Sequence, residues 1–186
     1  MPGVEPVQVV AAGIPEVLVI EPRIHRDERG FGYESYNALD LAPHIGEQVF
    51  LQANFSRSRK HVLRGLHYQL REPQGKLVRV THGEIFQVAV DLRRSSPTFA
   101  RVATLRISAE PVRVVWIPPG FAHGFLVLSD GADVEYQLTA PRVADDERCI
   151  AWNDPDLAIA WPLAGAPILS RRDANGARLA NAEVYE

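Results

Sequence analysis

Short runs rich in Val, Ile, Phe and Tyr recur along the chain, and Gly, Pro and Asp residues separate them. Such regularly spaced apolar runs predict an antiparallel β-sandwich or barrel. The runs are Val17–Ile20, Phe31–Tyr36, Val49–Asn54, Val62–Gln69, Leu77–Val80, Ile85–Leu92, Val102–Ile107, Val112–Ile117, Phe125–Leu128 and Val134–Thr139. Helical signals are limited mainly to Asn37–His44 and Asp173–Glu183. The pattern therefore predicts a mostly β fold with a few short helices.

One of these runs, 85–91, alternates clearly between two kinds of position. Successive side chains of a strand point to opposite faces. The even positions of the run are all apolar, whereas Gln87 and Asp91 fall among the odd positions. We therefore expect Gln87 to lie on the more polar face of its strand.

Two histidine-containing segments stand out, RGLHYQ at positions 64–69 and WIPPGFAH at positions 116–123. Imidazole is the usual proton carrier near neutral pH, and rigid strands of one barrel can aim two histidines at a common pocket. Strand alternation puts Arg64 and His67 on opposite faces. They share a pocket only if the strand is irregular, and Gly65 is the position where a β-bulge is least costly.

Composition limits the classes of protein that fit. With 186 residues, 46% of them hydrophobic, we expect a single soluble domain over residues 1–186. The net charge is −3, and 18 of the 20 basic residues are arginine, which favours bidentate anion recognition over nucleic-acid binding. A single cysteine, Cys149, leaves no internal disulfide or thiol cluster for zinc and favours the cytoplasm. We expect its side chain to be a small buried apolar group.

The apolar stretch near the start of the chain, Val7–Ile20, raises the question of a targeting or membrane segment. Pro15 and Glu16 interrupt it, and no basic residues precede it. We therefore expect neither a signal peptide nor a membrane span.

A metal-dependent cupin is the first functional hypothesis, because Pro118-x-Gly120-x-x-His123 looks like the second cupin motif. A cupin metal site normally contains an H-x-H pair, and here the pair is His67-x-Gln69. Glutamine is a poor substitute for imidazole on a transition metal. We expect no bound metal, although a metal-binding or non-enzymatic cupin remains an alternative.

Without a metal, a neutral imidazole acts as a general base if a carboxylate fixes its tautomer and stabilises the imidazolium. Spacing does not choose among four candidates, which are Asp91, Asp133, Asp154 and Asp173. Each candidate role also has an ordinary structural alternative. Asp173 fits a helix N-cap, His67 a buried hydrogen-bonded histidine and Tyr136 a core aromatic. Lys76 follows no phosphate-loop pattern, and it is either a solvated lysine or a cation beside a developing oxyanion.

Long, ordered motifs over almost the whole chain resemble those of the dTDP-4-dehydrorhamnose 3,5-epimerases. They are EP at 21–22, DERGF at 27–31, QANFSRS at 52–58, VLRGLHYQ at 62–69, QGKLVRV at 74–80, VAVDLR at 88–93, SPTF at 96–99, the block 118–125, WND at 152–154, and LS at 169–170 before Asp173. The resemblance implies a cupin-type jelly roll and a cofactor-free, metal-free, homodimeric enzyme. It divides the chain into N-terminal strands with dimer and nucleotide contacts (1–60), a jelly-roll core (61–140) and a C-terminal segment with helices (141–186).

The same resemblance implies a role for each matching residue. His67 is the proton acceptor, Asp173 its orienting partner, Tyr136 the proton donor and Lys76 the stabiliser of the enolate. Substrate and diphosphate contacts are implied for Arg64, His123 and Arg172, and nucleotide contacts for Arg29, Glu34, Gln52, Asn54 and Glu147. The implied reaction inverts carbons 3 and 5 of a dTDP-linked 4-keto-6-deoxyhexose.

Three positions depart from the family's pattern. Gln87 stands where aspartate is common, Gly32 where a second aromatic residue follows Phe31, and Arg142 where an aromatic side chain stacks on the base. A guanidinium can also stack on a base. The alternative hypothesis is therefore an epimerase that inverts only one centre, or one that acts on another nucleotide sugar.

Overall fold

The computed structural model describes residues 7–186, and the first six residues of the predicted 1–60 segment lie outside this range. The strands are β1 Gln8–Ala11, β2 Leu18–Glu21, β3 Ile24–Asp27, β4 Gly30–Tyr33, β5 Gln52–Arg59, β6 Leu63–Gln69, β7 Lys76–His82, β8 Glu84–Asp91, β9 Val102–Ser108, β10 Val114–Ile117, β11 Phe121–Val127, β12 Gly131–Leu138 and β13 Glu147–Cys149. The helices are α1 Ala38–Ile45 and α2 Arg171–Ala174, and 3₁₀ turns span Ala144–Asp146 and Leu179–Asn181. Within the described range, neither helix has the length and apolar character needed to cross a bilayer.

Two antiparallel sheets face each other. One contains six strands in the order β1-β2-β10-β7-β12-β5, and the other contains five in the order β13-β6-β11-β8-β9. Strands β3 and β4 form a separate hairpin. Apolar side chains from both sheets meet between them, for example Val78 and Val115 from the first sheet and Ile85 and Phe125 from the second. The predicted mostly β, cupin-type jelly roll is confirmed.

Each predicted apolar run overlaps a strand, but the boundaries differ. The run 49–54 begins before β5, and the run 125–128 begins four residues after the start of β11. Strands β1, β3 and β13 were not predicted. Because β3 and β13 consist mostly of polar residues, apolar alternation gives no signal for them.

The C-terminal segment covers the outer face of the five-stranded sheet. Phe86 and Val88 of β8 belong to a second apolar cluster together with Leu157 and Trp161. Gln87, on the opposite face of β8, points between the two sheets and is only 1% exposed. Both faces of this strand are therefore buried, and the polar face predicted from alternation is the interior of the jelly roll.

The two helix predictions have different outcomes. The helix predicted over Asn37–His44 is present as α1, and the Asn37 side chain caps it by accepting a hydrogen bond from the Leu39 amide. The helix predicted over Asp173–Glu183 is wrong, because α2 ends at Ala174. Beyond it, the backbone of Ala177 forms two hydrogen bonds of 2.8 Å with the chain around Cys149 and Ala151 instead of continuing a helix.

A bulge in β6 confirms the irregularity expected at Gly65. His67 pairs with His123 and Arg64 pairs with Phe125, so two residues of β6 lie opposite the single residue Gly124. Gly65 has φ 111°, a conformation that favours glycine. Because of the extra residue, Arg64 and His67 line the same cavity.

We predict that Gly65→Ala disrupts the site. A Cβ at Gly65 would lie 2.6 Å from the carbonyl oxygen of His123 and 2.7 Å from Cα of Gly124. Backbone strain and overpacking together should cost about 2–5 kcal/mol of unfolding free energy. Denaturant unfolding and an activity assay measure the effect. Gly131→Ala is the control, because its new Cβ would lie 3.5 Å from the Ser58 carbonyl oxygen, an ordinary van der Waals contact. Equal stability of the two variants would contradict the prediction.

Candidate active site

A polar cavity of about 240 Å³ opens at one end of the space between the sheets. Side chains from both sheets, from the loop before β13 and from α2 contribute to its wall. The lining residues are Asn54, Arg64, His67, Tyr68, Gln69, Gln74, Lys76, His123, Gly124, Phe125, Tyr136, Leu138, Arg142, Glu147 and Arg172. Nine of the thirteen site residues expected from the sequence are among them, because strands distant in sequence end at the same side of the jelly roll.

His67 and Asp173 form a hydrogen-bonded pair at this cavity. The Nε2 atom of His67 lies 2.6 Å from Oδ1 of Asp173, whose side chain is 5% exposed. Burial acts to raise the pKa of Asp173, but hydrogen bonds from His67 and Ser170 outweigh burial and hold this pKa below its ordinary value. Asp173 is therefore a carboxylate that orients the imidazole, an arrangement suited to a general base.

Asp173 is held by the start of α2. Ser170 Oγ donates to Asp173 Oδ2 at 2.7 Å, and the amide of Asp173 donates back to Ser170 Oγ at 3.1 Å. The helix N-cap is thus Ser170, and the N-cap alternative for Asp173 is wrong. The Gly65 amide adds a third hydrogen bond to the carboxylate at 3.2 Å. The Ser-x-x-Asp spacing is a capping-box-like signal that the sequence analysis did not use.

The other three aspartates considered as orienting partners are engaged elsewhere. Asp91 is fully buried and accepts two hydrogen bonds from the Arg93 side chain. Asp133 binds the guanidinium of Arg57. Asp154 accepts hydrogen bonds from two backbone amides. These contacts favour structural roles for all three.

Lys76 and Tyr136 belong to the six-stranded sheet, so they approach the cavity from the wall that faces His67. Lys76 is 6% exposed and donates from Nζ to the carbonyl oxygen of His67 at 3.1 Å. Burial lowers the pKa of Lys76 to about 8, and the charge of Glu147 only partly offsets this effect. The geometry favours the buried-cation interpretation of Lys76 over the solvated one.

His123 reaches the cavity from β11 and is 7% exposed. Burial, followed by the charges of Lys76 and His67, holds the pKa of His123 well below its ordinary value. The imidazole of His123 is therefore neutral at physiological pH and suits hydrogen bonding to an uncharged group better than binding of an anion.

Arginines surround Glu147 at the mouth of the cavity. Glu147 Oε2 accepts hydrogen bonds from Arg142 and, at 2.6 Å, from Nη1 of Arg172. Burial acts to raise the pKa of Glu147, but the two guanidinium groups hold it below its ordinary value. Arg64 adds another guanidinium, whose Nε donates to Ser58 at 2.9 Å. This cluster gives the mouth an excess of positive charge that suits a diphosphate.

The remaining expected contact residues divide into two groups. Gln52 lies behind the wall, donates to Asn54 Oδ1 and accepts from the Arg142 amide, each at 2.8 Å. Arg29 and Glu34 are not part of this chain's cavity wall. Arg29 lies on the exposed β3–β4 hairpin, where it pairs with Asp27.

Gln69 is a site residue that the sequence analysis considered only as a failed metal ligand. It is 1% exposed. Its amide nitrogen donates to the carbonyls of Glu72 and Pro141, and its oxygen accepts from the Val143 amide at 2.6 Å. Gln69 therefore fixes the loop that carries Arg142. Its position two residues after His67, on the same strand face, was the available signal.

Cys149 is a potential metal ligand close to the His67–Asp173 pair. The ligand atoms of His67, Cys149 and Asp173 lie within 4.8 Å of one another. Two ligands of one tetrahedral zinc ion are about 3.3 Å apart, whereas His67 Nε2 and Asp173 Oδ1 are separated by a hydrogen-bond distance of 2.6 Å. Burial and the nearby Asp173 charge raise the pKa of the Cys149 thiol to about 12. The arrangement fits a hydrogen-bonded dyad beside a protonated, half-buried thiol.

Comparisons with known proteins show the family to which this chain is similar. The family model for dTDP-4-dehydrorhamnose 3,5-epimerase matches residues 11–181. A dTDP-4-dehydrorhamnose 3,5-epimerase from Pseudomonas aeruginosa is 54% identical over 173 residues, which cover 92% of this chain and 96% of that protein. One from Shigella flexneri is 48% identical over 180 residues, which cover 95% of this chain and 98% of that protein.

A solved structure extends the agreement to three dimensions. The crystal structure of a dTDP-6-deoxy-D-glucose-3,5-epimerase from Legionella pneumophila in complex with dTDP-4-keto-L-rhamnose superimposes with a TM-score of 0.92 and 47% identity over 95% of each chain. Since sequence and fold agree over nearly the whole length, this chain belongs to the dTDP-4-dehydrorhamnose 3,5-epimerase family.

Proposed function

We propose that this protein is a cofactor-independent epimerase that inverts carbons 3 and 5 of dTDP-4-dehydro-6-deoxy-D-glucose to give dTDP-4-dehydro-L-rhamnose. The observation that carries the proposal is the His67–Asp173 pair, which faces Lys76 and Tyr136 across one cavity. The family membership of the chain and the sugar nucleotide named in the Legionella complex support this substrate.

The substrate provides its own electron sink. A ketone at carbon 4 acidifies the hydrogens on carbons 3 and 5, and in the gluco chair both hydrogens are axial on the same ring face. One base therefore reaches both. His67 removes the proton, the C–H electron pair moves into the enolate, and the negative charge develops on the carbon 4 oxygen. Asp173 stabilises the imidazolium that forms.

The opposite wall completes each inversion. Lys76, as a buried cation, stabilises the enolate oxygen. Tyr136 delivers its hydroxyl proton to the other face of the planar carbon, so the ketone re-forms with the opposite configuration. The tyrosinate regains a proton from water, and His67 releases its proton to water. The base and the acid thus belong to different sheets, which lie on opposite sides of the sugar.

The guanidinium groups at the mouth fit the diphosphate and base. Arg64 and Arg172 are positioned for the diphosphate, where charge-assisted hydrogen bonds are strong. Arg172 Nη2 is buried and has no hydrogen-bond partner among the described residues, so a donor is available. Arg142 lies beside Glu147 and offers a planar group for stacking on the base. Asn54 and Gln52 add amide groups to the same region.

A homodimer is part of the proposal. The β3–β4 hairpin pairs with no other described strand, and it exposes Phe31 by 44%. Phe55 on the outer face of β5 is 56% exposed. Exposed aromatic side chains beside an unpaired sheet edge favour association. We infer that the hairpin brings Arg29, and the residues after it bring Glu34, to a partner's cavity. A cytoplasmic location, favoured by the single cysteine, belongs to the proposal as well.

We predict that His67→Ala abolishes deuterium incorporation at carbons 3 and 5 when dTDP-4-keto-6-deoxyglucose is incubated in deuterated water and followed by NMR. The reason is that no base remains to remove either proton. His82→Ala, which changes an exposed histidine on β7, is the control and should retain exchange at both carbons. Retained exchange in folded His67→Ala would reject the assignment. Exchange at only one carbon in the unaltered protein would favour the single-centre alternative.

We predict that activity falls as the pH rises through about 8, because the pKa of Lys76 lies there and only the protonated amine stabilises the enolate. Lys76→Met keeps the length and loses the charge, and it should lower kcat by about 100- to 1,000-fold. Its pH–rate profile should lack the limb near pH 8. An unchanged alkaline limb in Lys76→Met would show that another group, such as Tyr136, produces it.

We predict that Arg29→Ala lowers kcat/KM by about 10- to 100-fold through loss of a charge-assisted hydrogen bond. Arg29→Ala and inactive His67→Ala subunits are mixed in equal amounts and allowed to exchange partners. Half of the dimers are then heterodimers, and one of the two sites in each heterodimer is intact, so about a quarter of all sites should be restored. Light scattering checks the dimer. Full activity of Arg29→Ala alone, or no recovery on mixing, would contradict a site shared between subunits.

A further inference from the structure

Two side chains on the inward face of the five-stranded sheet carry buried polar atoms without partners among the described residues. Gln87 is 1% exposed, and neither its amide nitrogen nor its amide oxygen has a hydrogen-bond partner among the described residues. In the same region Nε2 of His123 is buried without a partner in the described part of the chain. The proposed reaction gives no role to Gln87, and the family resemblance implies only a substrate contact for His123.

The strand register brings these two side chains together. In the β8–β11 pair, His123 lies opposite Ala89, and Phe125 lies opposite Gln87. His123 and Gln87 are therefore diagonal neighbours on the inward face of one sheet. Diagonal positions are about 7–8 Å apart at Cα, within reach of long side chains. Rotation of the terminal amide lets either its oxygen or its nitrogen meet the imidazole.

Burial makes this contact favourable. Each buried polar group that stays unpaired costs about 1–3 kcal/mol. One hydrogen bond between the two side chains satisfies Nε2 of His123 and one of the two amide atoms of Gln87. An amide carries no charge and both donates and accepts. It can therefore satisfy a neutral imidazole without stabilising its protonated form, whereas a carboxylate at the same position would favour the imidazolium.

The charges around His123 also favour a neutral partner there. The charged and titratable groups that share its cavity are Arg64, His67 and Tyr68 on β6, Lys76 on β7, Tyr136 on β12, Arg142, Glu147 on β13 and Arg172 on α2. Glu147 is the one carboxylate in this wall, and it is bound to two arginines. No negative group of the described wall is thus free to stabilise a positive charge on His123.

We propose that Gln87 is a positioning residue, which hydrogen-bonds Nε2 of His123 and holds this neutral imidazole in a single tautomer. The other ring nitrogen then has one defined character, donor or acceptor, toward the sugar. The effect on turnover rests on the proposed epimerase function. The tautomer itself is a property of the free protein and does not depend on that function.

Nitrogen-15 NMR of histidine-labelled protein tests the tautomer directly, and His123→Asn assigns the signal. In the unaltered protein at pH 7, His123 should show one protonated and one unprotonated ring nitrogen. Gln87→Met conserves side-chain length and removes both hydrogen-bonding atoms, so the two nitrogen shifts should move toward their average. Gln137→Met is the control, because Gln137 lies on the outer face of β12 and also has an unpartnered amide oxygen; it should leave the His123 signal unchanged.

Kinetic constants and melting temperatures of Gln87 variants distinguish a positioning role of Gln87 from a role in packing alone. We expect Gln87→Met to lower kcat/KM about tenfold through misorientation of the sugar. The melting temperature should fall only modestly, because methionine fills the same space and one buried ring nitrogen of His123 loses its partner. If the methionine variant does not fold, Gln87→Asn, which is one methylene shorter, should give the same averaging of the shifts. A mixed tautomer in the unaltered protein, or an unchanged His123 signal in a folded Gln87 variant, would overturn the proposal. Lack of epimerase activity in the unaltered protein would reject the proposed function but not the tautomer assignment.

Discussion

The hydrogen bond between His67 and Asp173 joins residues 106 positions apart, and the site depends on it. It forms because the C-terminal segment packs on the outer face of the five-stranded sheet and then turns back at Ser170. The apolar cluster around Leu157, Trp161 and Leu179 holds the segment there. Hydrophobic burial far from the cavity therefore sets a contact of 2.6 Å inside it, where a carboxylate is placed to stabilise a positive charge on the imidazole.

A second constraint is the division of the jelly-roll interior into an apolar end and a polar end. Val78, Val115 and Phe125 belong to the packed cluster, while Lys76, only two residues before Val78, lies in the cavity wall. Burial there depresses the pKa of the amine to about 8, so the cation that we propose for the enolate lies close to its titration range. The charge of Glu147 limits this depression, which links the mouth of the cavity electrostatically to Lys76.

The mouth of the cavity is positively charged, whereas His123 in its wall is polar and neutral. Arg64, Arg142 and Arg172 suit the anionic part of a sugar nucleotide. His123 is uncharged and suits the hydroxyl and keto groups of the sugar. The same cavity therefore discriminates between the two ends of the substrate by charge. Arg142 in place of an aromatic side chain retains a planar surface for the base.

The sequence by itself determined the mostly β class, helix α1, the need for a bulge near Gly65 and the residue types of the site, because alternation and glycine placement are local signals. Only the tertiary structure selected Asp173 from four aspartates, ended α2 at Ala174 and put Gln87 inside the core. Those outcomes depend on which distant backbone groups and apolar faces meet, and no local pattern encodes that pairing. Arg29 and Glu34 lie outside the wall of their own chain's cavity. Strand alternation could not predict this position, because it does not indicate where a hairpin packs.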